Sequence, residues 1–161
     1  MTTLLGVERA IASQSVKGLR QIYKLFARVD GLKLLCATFK RDVQKAVAAI
    51  VLDDKRDEEM VQRLVEFRSF INKAVPLLNA TDNEEDGESH PANRDFVNAA
   101  SDAFEMGFRG RKNKPAEMIA KYLDRAMRKG QQDESDEKFE EELNNVLGLY
   151  QYTQGKSAAS L

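Results

Sequence analysis

An all-α fold, an irregular bundle of about five to seven helices, is predicted by three features of this chain. Apolar residues recur at spacings of three and four over long stretches, as on one face of a helix. No segment alternates with the period of two that marks a half-buried strand. Only three prolines and nine glycines punctuate 161 residues, so few points exist where a helix must stop.

Residues Leu4 to Ser13 read as the frayed end of a helix, anchored by Leu4, Leu5, Ile11 and Ala12. From Val16 to Val29 the positions Leu19, Ile22, Phe26 and Val29 form one stripe, and Asp30-Gly31 supplies the stop. A second helix follows at once, carried to about Val51 by Leu32, Leu35, Phe39, Val43, Val47 and Ile50; so short a junction makes the two helices antiparallel or sharply angled neighbours. Asp53 or Asp54 can cap the next helix, whose Met60, Leu64, Phe67, Ile71, Ala74 and Leu78 keep the cleanest register in the chain. Pro76 should end or kink it, because proline lacks the donor N–H and crowds the carbonyl one turn back.

Residues 79–93 change character. Asp82, Glu84, Glu85, Asp86 and Glu88 surround Gly87 and lead to His90-Pro91, which reads as a mobile acidic loop. Helical spacing resumes with Phe96, Val97, Ala100, Phe104 and Phe108, then breaks across Arg109-Gly110-Arg111-Lys112. The following helix has the best-formed start in the sequence. Asn113 is a candidate cap, Pro115 has its φ already set for the first turn, and Met118, Ile119, Tyr122, Leu123, Ala126 and Met127 form its stripe. Arg125, Arg128 and Lys129 lie where the helix dipole favours cations, and Gly130 ends it. A polar connector to Ser135 precedes the last helix, with Phe139, Leu143, Val146, Leu147 and Tyr150, which fades by Gly155. No internal repeat of short period emerges. The organisation expected is a tail of a preceding helix over 1–14, one bundle over 15–156, and a disordered tail over 157–161.

Composition excludes several classes of function. Hydrophobic residues make up 42% of the chain, enough for a continuous core. The net charge of −1, from 25 basic and 26 acidic side chains, gives no field that would draw the whole molecule to nucleic acid or anionic lipid. Cys36 and His90 are the only residues of their kinds, which leaves no disulfide, zinc cluster or Cys/His dyad of the usual sort. No secretory leader or run of about 20 apolar residues occurs, so cytoplasm or nucleus is the expected compartment and no membrane partner is expected.

The remaining candidates for chemistry have plainer readings. Cys36 lies beside the Leu32, Leu35 and Phe39 stripe and reads as a small buried hydrophobe. His90, with no titrating partner near it, reads as a solvated loop residue. Asp53-Asp54 and Glu140-Glu141-Glu142 lack the spacing of a calcium loop and fit a cap and a solvated face. Arg109, Arg111, Lys112 and Lys114 form the one basic cluster worth weighing for a polyanion, yet no aromatic residues are interleaved for stacking. Without a phosphate-binding glycine loop, nucleotide hydrolysis has no support. No catalytic residue, metal or cofactor is expected.

Five segments taken in order resemble the cullins, scaffolds of multisubunit RING ubiquitin ligases. They are Ile22-Tyr23-Lys24-Leu25-Phe26-Ala27-Arg28-Val29, Asp57 to Phe67 with its Met60-Val61-Gln62, Phe96-Val97-Asn98, Asn113 to Gly130, and Tyr150 to Lys156. The second is most similar to the cullin-3 and cullin-4 branch. Carried over position by position, the motif and packing candidates are Tyr23, Phe26, Arg28, Met60, Val61, Gln62, Phe67, Phe96, Asn113, Lys114, Pro115, Ala116, Glu117, Ile119, Ala120 and Asp124. The resemblance implies the third cullin repeat of the amino-terminal stalk, ending before the body that holds the RING protein and starting after the repeat that binds the adaptor. The acidic insertion at Asp82 to Glu88, Arg109-Gly110-Arg111, Lys138 and the tail from Ser157 depart from the pattern.

What the resemblance implies for function is a non-catalytic rigid spacer within a cullin-RING ligase, in ubiquitin-dependent protein catabolism. Its partners would be ligase components and a cullin-exchange factor, with no nucleic acid, and cut faces between repeats could promote self-association. Two alternatives remain open: a freestanding helical adaptor, and a truncated cullin paralogue that competes with a full-length one.

Overall fold

A computed structural model describes residues 2–78, 93–111, 113–129 and 136–159. Among these the secondary structure is entirely helical: α1 (Thr2–Ala12), α2 (Val16–Arg28), α3 (Leu32–Leu52), α4 (Met60–Ala74), α5 (Arg94–Phe108), α6 (Lys114–Lys129) and α7 (Asp136–Ala159). Short 3₁₀ turns at Asp54–Glu59, Val75–Leu77 and Arg109–Arg111 join some of them. The chain divides into two compact units, one of Met1–Ala46 with Phe67–Phe104, the other of Val47–Glu66 with Glu105–Leu161. The acidic segment and His90 lie outside the described residues.

In the first unit, α1 is closed at its carboxyl end rather than frayed there. The Gln14 N–H reaches the Ile11 carbonyl at 3.1 Å and the Ser15 N–H reaches the Ala10 carbonyl at 2.8 Å, with Gln14 at φ 53°. This pair of bonds closes the carbonyls at a helix end by a left-handed residue, here without glycine. Val7, Ala10 and Ile11 are buried, while Ala12 is exposed. Ser15 then caps α2, its Oγ accepting from the Gly18 N–H at 3.0 Å. A Cβ at Gly18 would meet Ser15 Oγ at 2.9 Å and Ala10 Cβ at 3.4 Å, so α1 and α2 approach closely there.

The α2 stripe is rotated from the expected one. Leu19 and Tyr23 are buried, Ile22 and Phe26 are half-buried, and Val29 is 71% exposed. Val29 is already the C-cap, outside helical register, and Phe26 folds over the turn, its Cδ1 within 2.7 Å of where a Gly31 Cβ would stand. Asp30, with φ 53°, takes the left-handed position, and the Gly31 N–H bonds the Phe26 carbonyl at 2.8 Å. The expected stop is therefore correct in place, although the aspartate makes the turn.

α3 buries Leu35, Phe39, Val43, Val47 and Ile50, as its spacing predicts. α4 buries every one of Met60, Leu64, Phe67, Ile71 and Ala74, with Leu78 beyond it. Each large side chain so removed from water contributes about 1.5–3 kcal/mol. α4 ends one residue before the 3₁₀ turn that contains Pro76, consistent with the missing donor. Within the first unit Tyr23 meets Phe96 edge-on at 5.3 Å and Phe39 lies 5.4 Å from Phe96. Phe67 sits 5.9 Å from Phe70 and 5.8 Å from Phe104. Such tilted ring pairs favour the quadrupoles of both partners.

In α5, Phe96, Ala100, Phe104 and Phe108 are buried with Ala99 and Ala103, leaving Val97 on the flank at 42% exposure. In the second unit α6 buries Pro115, Met118 and Ile119; Tyr122, Leu123 and Ala126 are half-buried and Met127 is 62% exposed in the last turn. α6 and α7 pack together. α7 buries Val146 and Leu149, and the expected Leu147 and Tyr150 face outward. From Val146 the inner row continues by threes to Leu149 and Tyr152, whose ring meets Phe108 at 5.7 Å. The helix runs on past Gly155 to Ala159.

Candidate functional site

Two polar junctions hold the ends of these helices. The first lies in the second unit around Asp57, in the 3₁₀ turn after α3. The Arg111 guanidinium donates to both Asp57 oxygens, at 2.5 Å and 3.2 Å, and also to the Val51 carbonyl at 3.1 Å. That carbonyl belongs to the last turn of α3, where the helix itself supplies no donor. Lys114 approaches the same carboxylate at 3.6 Å and Glu117 at 3.7 Å, and Lys121 reaches Glu117 at 3.0 Å. A planar guanidinium gripping a carboxylate with two bonds fixes orientation as well as charge. Arg111 holds the Asp57 carboxyl below the usual carboxylate range, and Lys121 followed by Lys114 does the same for Glu117.

The second junction lies in the first unit. Asn93 caps α5: its Oδ1 accepts from the Asp95 N–H at 3.0 Å, while its carbonyl accepts from Phe96 and Val97. The Asn93 N–H bonds the Leu78 carbonyl at 3.2 Å, and Nδ2 donates to the Tyr23 hydroxyl at 3.1 Å. One side chain thus starts α5 and ties it to α2. Beside it Leu32, Cys36, Lys40, Asp95 and Asp102 line an open groove of about 480 Å³.

The candidate residues are distributed over both units. Tyr23, Phe67 and Phe96 are buried in the first, with Phe26 half-buried and Arg28 exposed. In the second, Met60, Val61, Pro115 and Ile119 are buried, Lys114 and Ala116 are half-buried, and Gln62, Asn113, Glu117, Ala120 and Asp124 are exposed. Asp124 pairs with Arg128 at 3.3 Å, and Gln62 bonds Glu66 at 3.3 Å. Asn113 starts α6 through its carbonyl, which accepts from the Glu117 N–H at 2.9 Å.

Several plain readings need correcting. Cys36 is half-buried, its Sγ 3.5 Å from the Asp95 carbonyl, and burial followed by the Asp95 charge pushes the thiol pKa up, away from reactivity. Asp53 precedes the 3₁₀ turn without a side-chain cap bond; its carboxylate accepts from Arg63 at 3.1 Å. Glu142 is half-buried and accepts a bond from the Tyr122 hydroxyl, while Glu140 and Glu141 are solvated. In the basic cluster, Arg111 pairs with Asp57 and Lys114 is shared between Asp57 and Glu117, while Lys112 lies outside the described residues. Among the described residues no three His, Cys, Asp or Glu side chains are grouped to hold a metal ion, and no helix is long and apolar enough to cross a membrane.

With this geometry in place, the family is decided by a match over residues 1–158 to the family model described as the cullin alpha solenoid domain. The chain belongs to the cullin family. Cullin-4A of Homo sapiens is 30% identical over 152 residues, covering 94% of this chain and 19% of that protein. Cullin-4 of Dictyostelium discoideum is 22% identical over 151 residues, covering 94% and 18%. Cullin-3 of Caenorhabditis elegans is 24% identical over 162 residues, covering 94% and 19%. This cullin chain therefore spans about a fifth of the length of the curated relatives it matches.

Sequence reasoning missed three residues that matter to this cullin fold. Asn93 closes an acidic stretch and reads there as loop. Arg111 reads as surface charge, because its partner Asp57 is far away in sequence. Leu149 follows Val146 at helical spacing, a signal present in the sequence but passed over for Leu147.

Proposed function

We propose that this chain is a non-catalytic scaffold segment of a cullin-RING ubiquitin ligase, equivalent to the third repeat of the cullin stalk. The observation that carries the reading is the family match over residues 1–158, seated on helices whose ends are fastened by Asn93 and by the Arg111–Asp57 clasp. A spacer is useful when partners stay at a fixed separation, and packed helices with satisfied ends resist bending and fraying. The chemistry of ubiquitin transfer belongs, in this reading, to the enzymes that the scaffold positions. The partners are proteins: components of the ligase, whose RING subunit and adaptors are held outside this segment, and a cullin-exchange factor, met in cytoplasm or nucleus.

Tagging the protein at its own genomic locus and purifying it in its natural form tests this. Recovery of a RING-domain subunit together with adaptors or an exchange factor is the expected result. Reproducible recovery of other partners without any of these overturns the assignment and favours a freestanding adaptor.

A further inference from the structure

Asp42 is a buried carboxylate in the middle of α3, only 4% exposed, and its Oδ2 has no hydrogen-bond partner. Its Oδ1 receives one long bond, from the Arg41 Nε at 3.4 Å, and the Arg41 side chain is itself 68% exposed. A carboxylate has room for about four donors and a neutral acid needs fewer, so this surrounding favours the protonated form. The charged groups that face it are Arg41 and Lys45 from α3 and Glu8 from α1. Glu8 adds repulsion to the ionised form. Burial is the largest influence and pushes the Asp42 pKa up, against the opposing pull of Arg41 and Lys45.

Lys45 is not idle. Its Nζ lies 3.5 Å from Glu8 Oε1, which makes it a tie from α3 to α1 within the first unit. Lys45 also stands three residues after Asp42, where helical neighbours can meet. An ionised Asp42 would need a donor beyond the long Arg41 bond, and Lys45 is the second cation whose charge acts on it.

We propose that Asp42 and Glu8 compete for Lys45, so that a proton on Asp42 latches α1 through the Glu8–Lys45 pair and its loss loosens that helix. With the proton on, Asp42 is neutral and Lys45 serves Glu8. With the proton off, the buried carboxylate draws Lys45 and α1 loses its tie. The sign follows from linkage: a group whose folded pKa is raised stabilises the fold least above that pKa, so protection of α1 falls as pH rises through it.

Two measurements on the full chain test this. The first is the Asp42 carboxyl ¹³C titration by NMR, expected to have its midpoint above the ordinary carboxylate range. The second is amide hydrogen exchange in α1, corrected for intrinsic rate. The opening constant should grow by about two- to fivefold in total as pH rises from the unfolded to the folded pKa of Asp42, the scale of one exposed ion pair. In Asp42→Asn this pH dependence should vanish with α1 protected, and in Glu8→Gln it should shrink. An ordinary or low Asp42 midpoint in the unmodified protein overturns the proposal without need of any variant. So does unchanged pH dependence of α1 exchange in Glu8→Gln.

Discussion

The Asn93 side-chain amide donates to the Tyr23 hydroxyl at 3.1 Å while its own oxygen caps α5, so a single residue serves two helices at once. Replacing Asn93 by alanine should destabilise the protein by about 1–2 kcal/mol through loss of the cap and of the tie. Tyr23→Phe should cost about 1 kcal/mol, since it removes the tie alone. Urea denaturation of both single variants and the double variant measures the coupling, and strictly additive losses would show that the bond contributes nothing.

Phe67 is 3% exposed and touches the rings of Phe70 and Phe104. Phe67→Ala should lower stability by about 3–5 kcal/mol, from lost transfer energy and the cavity left behind. Val97→Ala, at a flanking position, should change it by less than about 0.5 kcal/mol. Thermal melts of the two side by side would read the contrast directly.

Gly107 allows α5 to lie against α3. A Cβ there would stand 2.6 Å from Val47 Cγ1, 2.8 Å from Val47 Cβ and 3.2 Å from the Ala48 nitrogen. Gly107→Ala should therefore destabilise by about 1–3 kcal/mol through overpacking, even though alanine favours helix. Adding Val47→Ala should restore part of the loss, and a double variant weaker than the sum of the singles would contradict this account.

The Arg111–Asp57 clasp predicts a pH dependence opposite to that of Asp42. Asp57 has a folded pKa below its unfolded one, so the stability it contributes is present above the unfolded carboxylate value near about 3.9 and is lost as pH falls through the folded value. Asp57→Asn should thus give a flatter acid limb in urea midpoints taken from about pH 5 to about pH 2. Arg111→Gln should flatten it too. An acid limb of unchanged slope in both would exclude the clasp as a contributor.

How far the fold could be read beforehand differs from element to element. The α4 register is legible because Met60, Leu64, Phe67, Ile71 and Ala74 follow one face at unbroken helical spacing, and the neighbouring Val61 and Phe70 only widen that buried face. α2 and α7 each carry two neighbouring rows, and periodicity alone does not say which is covered. Leu149 rather than Leu147 is inside because Phe108 meets Tyr152 along that row, a contact between distant parts of the chain. The Schellman-type end of α1 was hidden because Gln14 takes a left-handed turn usually left to glycine. The two junctions were least legible. Asn93 with Tyr23 and Arg111 with Asp57 are pairings in space, and the residue types at each position also suit an unremarkable surface.

The makeup of the Asp57 junction has a practical consequence for anyone who modifies this protein chemically. Acylating reagents and amine-directed cross-linkers would strip the charge from Lys114 at 3.6 Å and leave the guanidinium of Arg111 untouched, since it carries no reactive amine. The joint should hold its shape through such labelling, and arginine-directed dicarbonyls would be the reagents that pry it open.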